Sequence, residues 1–271
     1  MTTPRLMELE ESVKLIDNEI FAKTGKRLDS LQISILEATS QGKKYPEIAK
    51  YRCLLILDNV QTLNSSGQLA GTYRPEYENY STFFKQIGEL SHNSCLVLLS
   101  SEQPREISVL EGENKPVRSL QLSGLGADAV EILREKGLAD EEKWSQLIEL
   151  YRGNPLWLKI VATMIQDLFN GSVSEALSYD TPFLGDLEAI LSQIFNRLTK
   201  SEIQVMSWLA SENLPVSLVK LRDCLQLSQS ELLKVIQSLG RRYLIEKVRE
   251  GDCVLFTLGP VVREYVNIFK S

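Results

Sequence analysis

The stretch Arg52-Cys-Leu-Leu-Ile-Leu-Asp-Asn-Val60 decides the fold of this chain. Four consecutive large apolar residues, from Leu54 to Leu57, run directly into Asp58. A continuous apolar run of this length is typical of a strand buried on both faces of a parallel sheet, and such sheets place their ligand chemistry at the carboxyl ends of the strands. The sequence therefore predicts an α/β domain with Asp58 at its functional edge.

Two further strands are predicted downstream. Cys95-Leu-Val-Leu-Leu is a second apolar run, and it ends at Ser100 and Ser101. Residues 116–122 are shorter and alternate between apolar and polar, which is typical of an edge strand. Between the first two strands lies a predicted loop, and the spacing of its Tyr73, Tyr77 and Tyr80 favours local packing over a binding surface.

Asp58 would hold Mg²⁺ in a phosphate-binding ATPase, but that role needs an upstream loop of the form G-x-x-x-x-G-K-S/T. The sequence contains no such loop, because the only glycines before Asp58 are Gly25 and Gly42 and neither belongs to this motif. We therefore expect no ATPase activity. The alternative role of Asp58 is to cap the turn that follows its strand.

Bulk composition predicts an ordinary globular protein of two or three domains. The 271 residues are 43% hydrophobic and 24% charged, with a net charge of −6. No apolar run is long enough to span a membrane, and the acidic N-terminus differs from a secretory signal, so we expect a cytoplasmic protein. Four dispersed cysteines and the single His92 predict no metal site. Cys53 and Cys95 are expected to be buried thiols, and His92 a solvated loop residue.

Helical periodicity dominates the rest of the chain. Residues 5–24 and 29–50 predict N-terminal helices that open like a helix-turn-helix. From Gly126 onward a helical layer is expected, with a central helix beginning at Pro155. Residues 191–271 predict three helices, a β-hairpin and a last helix, which together form a winged helix. The first of those helices is expected over 191–210, with a capping-box pattern at Thr199–Glu202 inside it.

Taken in order, these motifs resemble one family. Leu-Leu-Ile-Leu-Asp58-Asn59 is followed by Ser100-Ser101, then by Gly153-Asn154-Pro155-Leu156, and then by the winged helix. This order resembles the NB-ARC module of the STAND signalling ATPases, and especially the cyanobacterial NB-ARC proteins that often carry WD40 repeats.

The resemblance implies an α/β plus α architecture with a truncated P-loop NTPase-like parallel sheet. It divides the chain into a helix-turn-helix-like segment (1–50), a remnant nucleotide-binding domain (51–122), a helical domain (123–190) and a winged-helix domain (191–271).

The same resemblance implies a vestigial nucleotide site. Its members would be Asp58, Asn59, Ser100, Ser101, Gly153, Asn154, Pro155 and Leu156. Asp58 would support Mg²⁺, the loop around Pro155 would contact the adenine side of ADP, and the winged helix would lock the resting state. Two departures within the chain stand out. The phosphate loop, which would lie between Lys50 and Tyr51, is absent. In addition, Ser101 is followed by Glu102-Gln-Pro-Arg105, so that the γ-phosphate-sensing arginine of the family is deleted.

Three functions follow from these patterns. The first is a non-catalytic regulator in signal transduction that works by contact with a protein partner, such as full-length NB-ARC relatives, without a cofactor. The second is a switch that still binds ADP or ATP with Mg²⁺. The third is DNA binding through Lys234, Arg241 and Arg242. Residues 193–271 contain 11 Lys and Arg against 8 Asp and Glu, and this small positive net charge is weak support for nucleic-acid binding.

Overall fold

The structure, a computed structural model, describes residues 17–18, 54–179 and 181–270. Apart from Asp17 and Asn18, which are helical, the predicted N-terminal helices lie outside the described residues, as does Cys53. The described chain divides into two compact units. The first contains residues 54–65 and 70–119, and the second contains residues 66–69 and the chain from 120 onward.

The first unit is built on a parallel pair of strands, β1 (Leu54–Leu57) and β2 (Cys95–Leu98). Helix α1 (Asn79–Glu89) connects them, and the short helix α2 (Ile107–Leu110) follows β2. Two 3-10 helices, Val60–Leu63 and Pro75–Tyr77, lie in the segment that the sequence predicted as loop.

An aromatic and aliphatic core covers one face of this sheet. Leu55 and Leu57 of β1 contact it, and its buried members are Val60, Leu63, Tyr73, Tyr80, Phe83 and Phe84. The ring of Tyr77 meets that of Tyr80 edge-on with centroids 6.1 Å apart. The predicted local packing of the tyrosines is therefore confirmed.

The other face of the sheet is exposed, and this contradicts two predictions. Leu54 is 59% exposed and Ile56 is 53% exposed, so β1 is not buried on both faces among the described residues. Cys95 is exposed as well, not a buried thiol. The register explains both results: Leu54 pairs with Cys95 and Ile56 with Val97, so all four side chains lie on the face opposite the aromatic core.

The prediction of a third strand is also wrong, since residues 116–122 form no strand. Leu120 and Leu122 are 84% and 83% exposed. Alternation describes a residue pattern, but a strand exists only where a neighbouring strand accepts its backbone hydrogen bonds. Within the described residues no other strand pairs with β1 and β2.

The second unit is helical at its start. Its helices up to residue 211 are α3 (Val130–Glu135), α4 (Trp144–Leu150), α5 (Pro155–Phe169), α6 (Val173–Ala176), α7 (Leu187–Phe195) and α8 (Lys200–Ser211). Two 3-10 helices, Gly126–Ala129 and Glu141–Lys143, precede α3 and α4. Helix α5 is central, as predicted, but only along one stripe, because Leu158 is fully buried while Leu168 is 59% exposed.

The long helix predicted over 191–210 is two helices. The Thr199 hydroxyl accepts from the Glu202 amide and the Glu202 carboxylate accepts from the Thr199 amide, which is a complete capping box. A capping box marks a helix start, so the pattern that seemed to lie inside one helix separates α7 from α8.

Three strands and three helices complete the second unit. They are β3 (Val216–Ser217), α9 (Leu218–Cys224), α10 (Gln229–Arg241), β4 (Glu246–Glu250), β5 (Cys253–Thr257) and α11 (Pro260–Lys270). The strands form an antiparallel sheet in the order β3-β5-β4, which confirms the predicted hairpin. Its turn is made by Gly251, at φ 58°, and Asp252. None of the helices within the described residues is both long and apolar enough for a membrane span.

Candidate functional site

The carboxyl ends of β1 and β2 form the candidate site of the first unit. The Leu99 amide donates to the Leu57 carbonyl at 2.8 Å, and the Val60 amide donates to the Leu99 carbonyl at 3.1 Å. These bonds extend the parallel pairing past the last strand residues. They bring the two predicted pairs, Asp58-Asn59 and Ser100-Ser101, to the same edge of the sheet.

Asp58 lies at the turn that leaves this edge. Its Oδ1 accepts a hydrogen bond from the Asn59 amide at 2.7 Å, and Asn59 adopts a left-handed conformation with φ 56°. Asparagine tolerates this conformation better than other residues with a side chain, except aspartate. No cluster of metal-ligating side chains occurs among the described residues. The Asp58 carboxylate is exposed, and its described bond is the one to the next amide.

Gln61 joins the two strand ends, and sequence reasoning missed it. Its Nε2 donates to Asn59 Oδ1 at 3.1 Å, while its Oε1 accepts from the Ser101 amide at 3.2 Å and from Ser100 Oγ at 3.3 Å. The only signal in the sequence was its position one turn beyond Asp58. A polar loop residue at that position does not by itself indicate a role, because its partner Ser101 lies 40 residues away in the chain.

A buried polar network lies behind the edge. Glu106 is 1% exposed, and its carboxylate accepts from the Tyr73 hydroxyl at 2.7 Å, the Ser81 hydroxyl at 2.5 Å and Arg105 Nε at 2.8 Å. Burial alone would raise the pKa of Glu106. The three donors stabilise the charged form more strongly, so its pKa lies below the ordinary value.

Arg105 is the arginine nearest in sequence to Ser101, and it belongs to this network. Its guanidinium lies 5.5 Å from the centroid of the Tyr73 ring while its Nε bonds Glu106. For Tyr73, burial first and then the bond to Glu106 raise the pKa of the phenol well above its usual value. Arg105 is thus part of a structural cluster with Tyr73 and Glu106.

In the second unit, the predicted Gly153–Leu156 segment forms the start of α5. Asn154 Oδ1 accepts from the Leu156 amide at 3.0 Å and from the Trp157 amide at 3.2 Å, and Pro155 occupies the first turn. Gly153 has φ 62°, and its carbonyl accepts from the Leu125 amide at 2.9 Å. The segment is a hydrogen-bonded helix cap, and Leu156 is 53% exposed.

The two groups of predicted site residues are assembled within different units. Asp58, Asn59, Ser100 and Ser101 meet in the first unit, and the Gly153–Leu156 segment is built in the second. Beside that segment, Arg152 makes a bidentate ion pair with Glu246 of β4, with both N–O distances 2.9 Å. This pair ties the start of α5 to the C-terminal hairpin inside the second unit.

The three basic residues proposed for nucleic acid differ in exposure. Lys234 is exposed on α10, where it lines a shallow groove with Gln229, Ser230, Leu233 and Gln237. Arg241 is half-buried. Arg242 is buried, and its Nε bonds Glu202 at 3.1 Å. The side chain of Arg242 therefore faces the protein interior.

Three comparisons with known proteins complete this description. Residues 7–55 match the family model of the vWA-MoxR associated protein N-terminal HTH. The chain is 43% identical over 224 residues to an uncharacterized WD repeat-containing protein, alr2800, of Nostoc sp. strain PCC 7120. That match covers 80% of this chain but only 18% of the Nostoc protein.

Solved structures extend the comparison to the fold. A Walker-type ATPase of Pyrococcus abyssi is similar with a TM-score of 0.53 and 15% identity, over 96% of this chain and 79% of that chain. A STAND protein with a tetratricopeptide repeat sensor from Pyrococcus horikoshii matches with a TM-score of 0.34 and 15% identity, over 100% of this chain and 35% of that chain. The chain thus has the fold of a Walker-type ATPase, an N-terminal match to a helix-turn-helix domain, and a WD repeat-containing relative in a cyanobacterium.

Proposed function

We propose that this chain is a signalling regulator of the NB-ARC kind, which acts by protein contact and does not hydrolyse ATP. The observation that carries the proposal is the lack of a phosphate loop in a sequence that retains the strand ending at Asp58. In ATPases of this fold that loop supplies backbone N–H donors and a lysine to the phosphates. Without it, Asp58 has no phosphate-bound metal to hold, and its carboxylate bonds the next amide instead.

An apolar surface that is exposed in the described part of the chain supports contact with a protein. Leu54 and Ile56 are more than half exposed, and Cys95 and Val97 continue the same face of the sheet. A parallel sheet is ordinarily covered on both faces, and exposed apolar patches mark interaction sites. The partners that we propose are longer WD repeat-containing relatives of the Nostoc type.

In this proposal, the C-terminal part of the second unit has a regulatory role. We interpret residues 191–271 as a winged helix, because α8, α9 and α10 are followed by the β4–β5 hairpin and by α11. In this interpretation α10 occupies the position of a recognition helix. The burial of Arg242 and the overall charge of −6 favour a protein-contact role over DNA binding.

A thermal melt with and without millimolar ADP or ATP and Mg²⁺ tests the proposal. A ligand at 100 times its dissociation constant stabilises the folded state by about 2.7 kcal/mol, which raises the melting temperature by several degrees. We expect no shift. A shift that Asp58→Asn reduces would contradict the proposal.

The second candidate is an ADP- or ATP-binding switch. The fold of a Walker-type ATPase and the intact helix cap at Asn154 favour it. In that case Asp58 would contact Mg²⁺, and the Gly153–Leu156 segment would contact the base. The same melt distinguishes the two candidates, since only the switch predicts stabilisation that depends on both Asp58 and Mg²⁺.

A further inference from the structure

The segment Ser66–Leu69, which we call the strap, belongs to the second unit although the chain on both sides of it belongs to the first. Three contacts hold it within the second unit. The Gly67 amide donates to the Arg197 carbonyl at 3.0 Å, the Gln68 carbonyl accepts from Arg242 Nη2 at 2.7 Å, and Leu69 packs against the main hydrophobic core.

The strap is hydrogen-bonded to a buried, charged side chain. Arg242 and its partner Glu202 have side chains that are 2% and 0% exposed. Glu202 is itself fixed, because it accepts from the Ser238 hydroxyl at 2.7 Å and from the Thr199 amide at 2.8 Å. The Gln68 carbonyl therefore bonds a guanidinium that is held in place, and charge-assisted hydrogen bonds of this kind are stronger than neutral ones.

The base of the strap is fixed within the first unit. The Ser65 amide donates to the Thr72 carbonyl at 2.8 Å, and Asn64 and Tyr73 form an antiparallel bridge. Asn64 Nδ2 also donates to the buried Glu102 at 3.0 Å. The residue two positions before the strap, Asn64, is thus hydrogen-bonded to Glu102.

Glu102 leads directly to the candidate site at the strand ends. Its carbonyl accepts from Ser100 Oγ at 2.6 Å, and Ser100 in turn contacts Gln61. A continuous chain of contacts therefore runs from the strap through its base to the residues that join β1 and β2. Such contiguous networks are the physical route by which a change at one place alters another.

We propose that the strap is a conformational device through which the second unit controls the carboxyl edge of β1 and β2, with Arg242 as the residue that holds it. Release of the strap loosens the base at Asn64 and the bonds at the strand ends. The device operates whichever ligand or partner uses that edge, so it goes beyond the proposed function.

Amide hydrogen exchange on the full chain tests the device at three positions. Position 67 reports the strap, Val60 reports the strand ends through its bond to Leu99, and Leu158, whose amide bonds Asn154, reports global unfolding of the second unit. In Arg242→Met we expect exchange at position 67 to rise about tenfold and at Val60 about threefold, through local opening, relative to Leu158.

A second variant avoids the buried pair. Gly67 has φ +70° and open space around it, so Gly67→Ala strains only the backbone of the strap. Gly251→Ala is the matched control, with φ +58° and open space at the hairpin turn. We expect Gly67→Ala to raise exchange at position 67 and Val60, and Gly251→Ala to change neither.

The exchange experiment uses no nucleotide, so its outcome is independent of the thermal melt that tests the proposed function. Faster exchange at position 67 with no change at Val60 would overturn the proposal, because the strap would then be a local contact. No change at either position in Gly67→Ala would overturn it as well. If Arg242→Met fails to fold, the Gly67→Ala result decides on the same criteria.

Discussion

Gly124 and Gly153 meet at a backbone contact that allows no side chain. A Cβ on Gly124 would lie 2.0 Å from the Arg152 carbonyl oxygen and 2.8 Å from the Gly153 Cα. Backbone atoms on both sides leave nothing flexible to move aside. The turn that precedes the Asn154 cap is therefore shaped by a glycine that lies 30 residues upstream, before α3.

The first prediction concerns this contact. Gly124→Ala should lower the free energy of unfolding by about 1–3 kcal/mol, because overpacking forces the two segments apart. The melting temperature should fall by several degrees in a thermal scan. Gly240→Ala in α10 is the control, since its nearest neighbour would be 3.9 Å away and alanine favours the helix. Equal melting temperatures for the two variants would refute the close-contact argument.

Tyr151 gives a pH-dependent prediction. Its hydroxyl donates to the Phe183 carbonyl at 2.9 Å, and burial raises the pKa of Tyr151 to about 12. Below pH of about 10 the phenol is neutral in both the folded and the unfolded states. Between about pH 10 and 12 the unfolded chain ionises first, so the stability contributed by the neutral phenol is lost as pH rises.

Tyr151→Phe should therefore reduce the alkaline loss of stability. We expect its free energy of unfolding to fall less steeply than that of the wild type between pH 10 and 12, by about 1 kcal/mol or more across the range, in urea titrations. Tyr179→Phe is the control, because Tyr179 is 58% exposed. An alkaline slope in Tyr151→Phe equal to that of the wild type would show that this phenol ionises freely in the fold.

At the scale of elements, capping decides where helices begin. The sequence from 191 to 210 has helical periodicity throughout, yet α7 ends at Phe195 and α8 begins at Lys200. The reciprocal bonds between Thr199 and Glu202 satisfy amides at the start of α8 that have no partner inside the helix. A local hydrogen-bonding pattern thus overrides a continuous apolar pattern.

Thr199→Ala tests the importance of this cap. We expect a loss of about 1 kcal/mol in the free energy of unfolding, the usual cost of removing such a cap. Thr163→Ala is the matched control, because Thr163 is exposed inside α5 and its hydroxyl donates to the Lys159 carbonyl of the same helix. Chemical denaturation measures both. A Thr199→Ala protein as stable as Thr163→Ala would contradict the role of the box.

Strand prediction succeeded or failed according to pairing. The runs at β1, β2 and the β4–β5 hairpin became strands because each has a neighbour at a defined register. Residues 116–122 have a comparable pattern without a pairing strand in the described chain. Hydrophobic alternation predicts which residues share a face, but it cannot predict whether another strand lies alongside.

At the scale of the whole molecule, the open face of the first unit's sheet is the surface proposed for partner contact. Ile56→Lys should change the free energy of unfolding by less than about 1 kcal/mol, since the Ile56 side chain is 53% exposed. It should also weaken binding to a longer WD repeat-containing relative, because a lysine ammonium loses hydration when an apolar interface covers it.

Light scattering on mixtures of the two purified proteins measures this effect. Val109→Lys is the control, because Val109 is 72% exposed in the same unit and lies outside the sheet. A complex that survives Ile56→Lys as well as it survives Val109→Lys would exclude this face as the contact surface.

The sequence by itself determined the local features of this protein. The apolar runs, the helix start at Pro155, the hairpin around Gly251 and the lack of a phosphate loop follow from neighbouring residues. Each depends on spacings of a few positions, where backbone preference and capping act directly.

Only the tertiary structure decided the contacts that give those features a role. Gln61 reaches Ser101 across 40 residues, and Arg242 reaches the Gln68 carbonyl across 174. The exposure of Leu54 and Ile56 likewise depends on which elements cover the sheet. Partners so far apart in the chain leave no periodic signal, since the burial of a charge or an apolar face is set by what folding brings beside it.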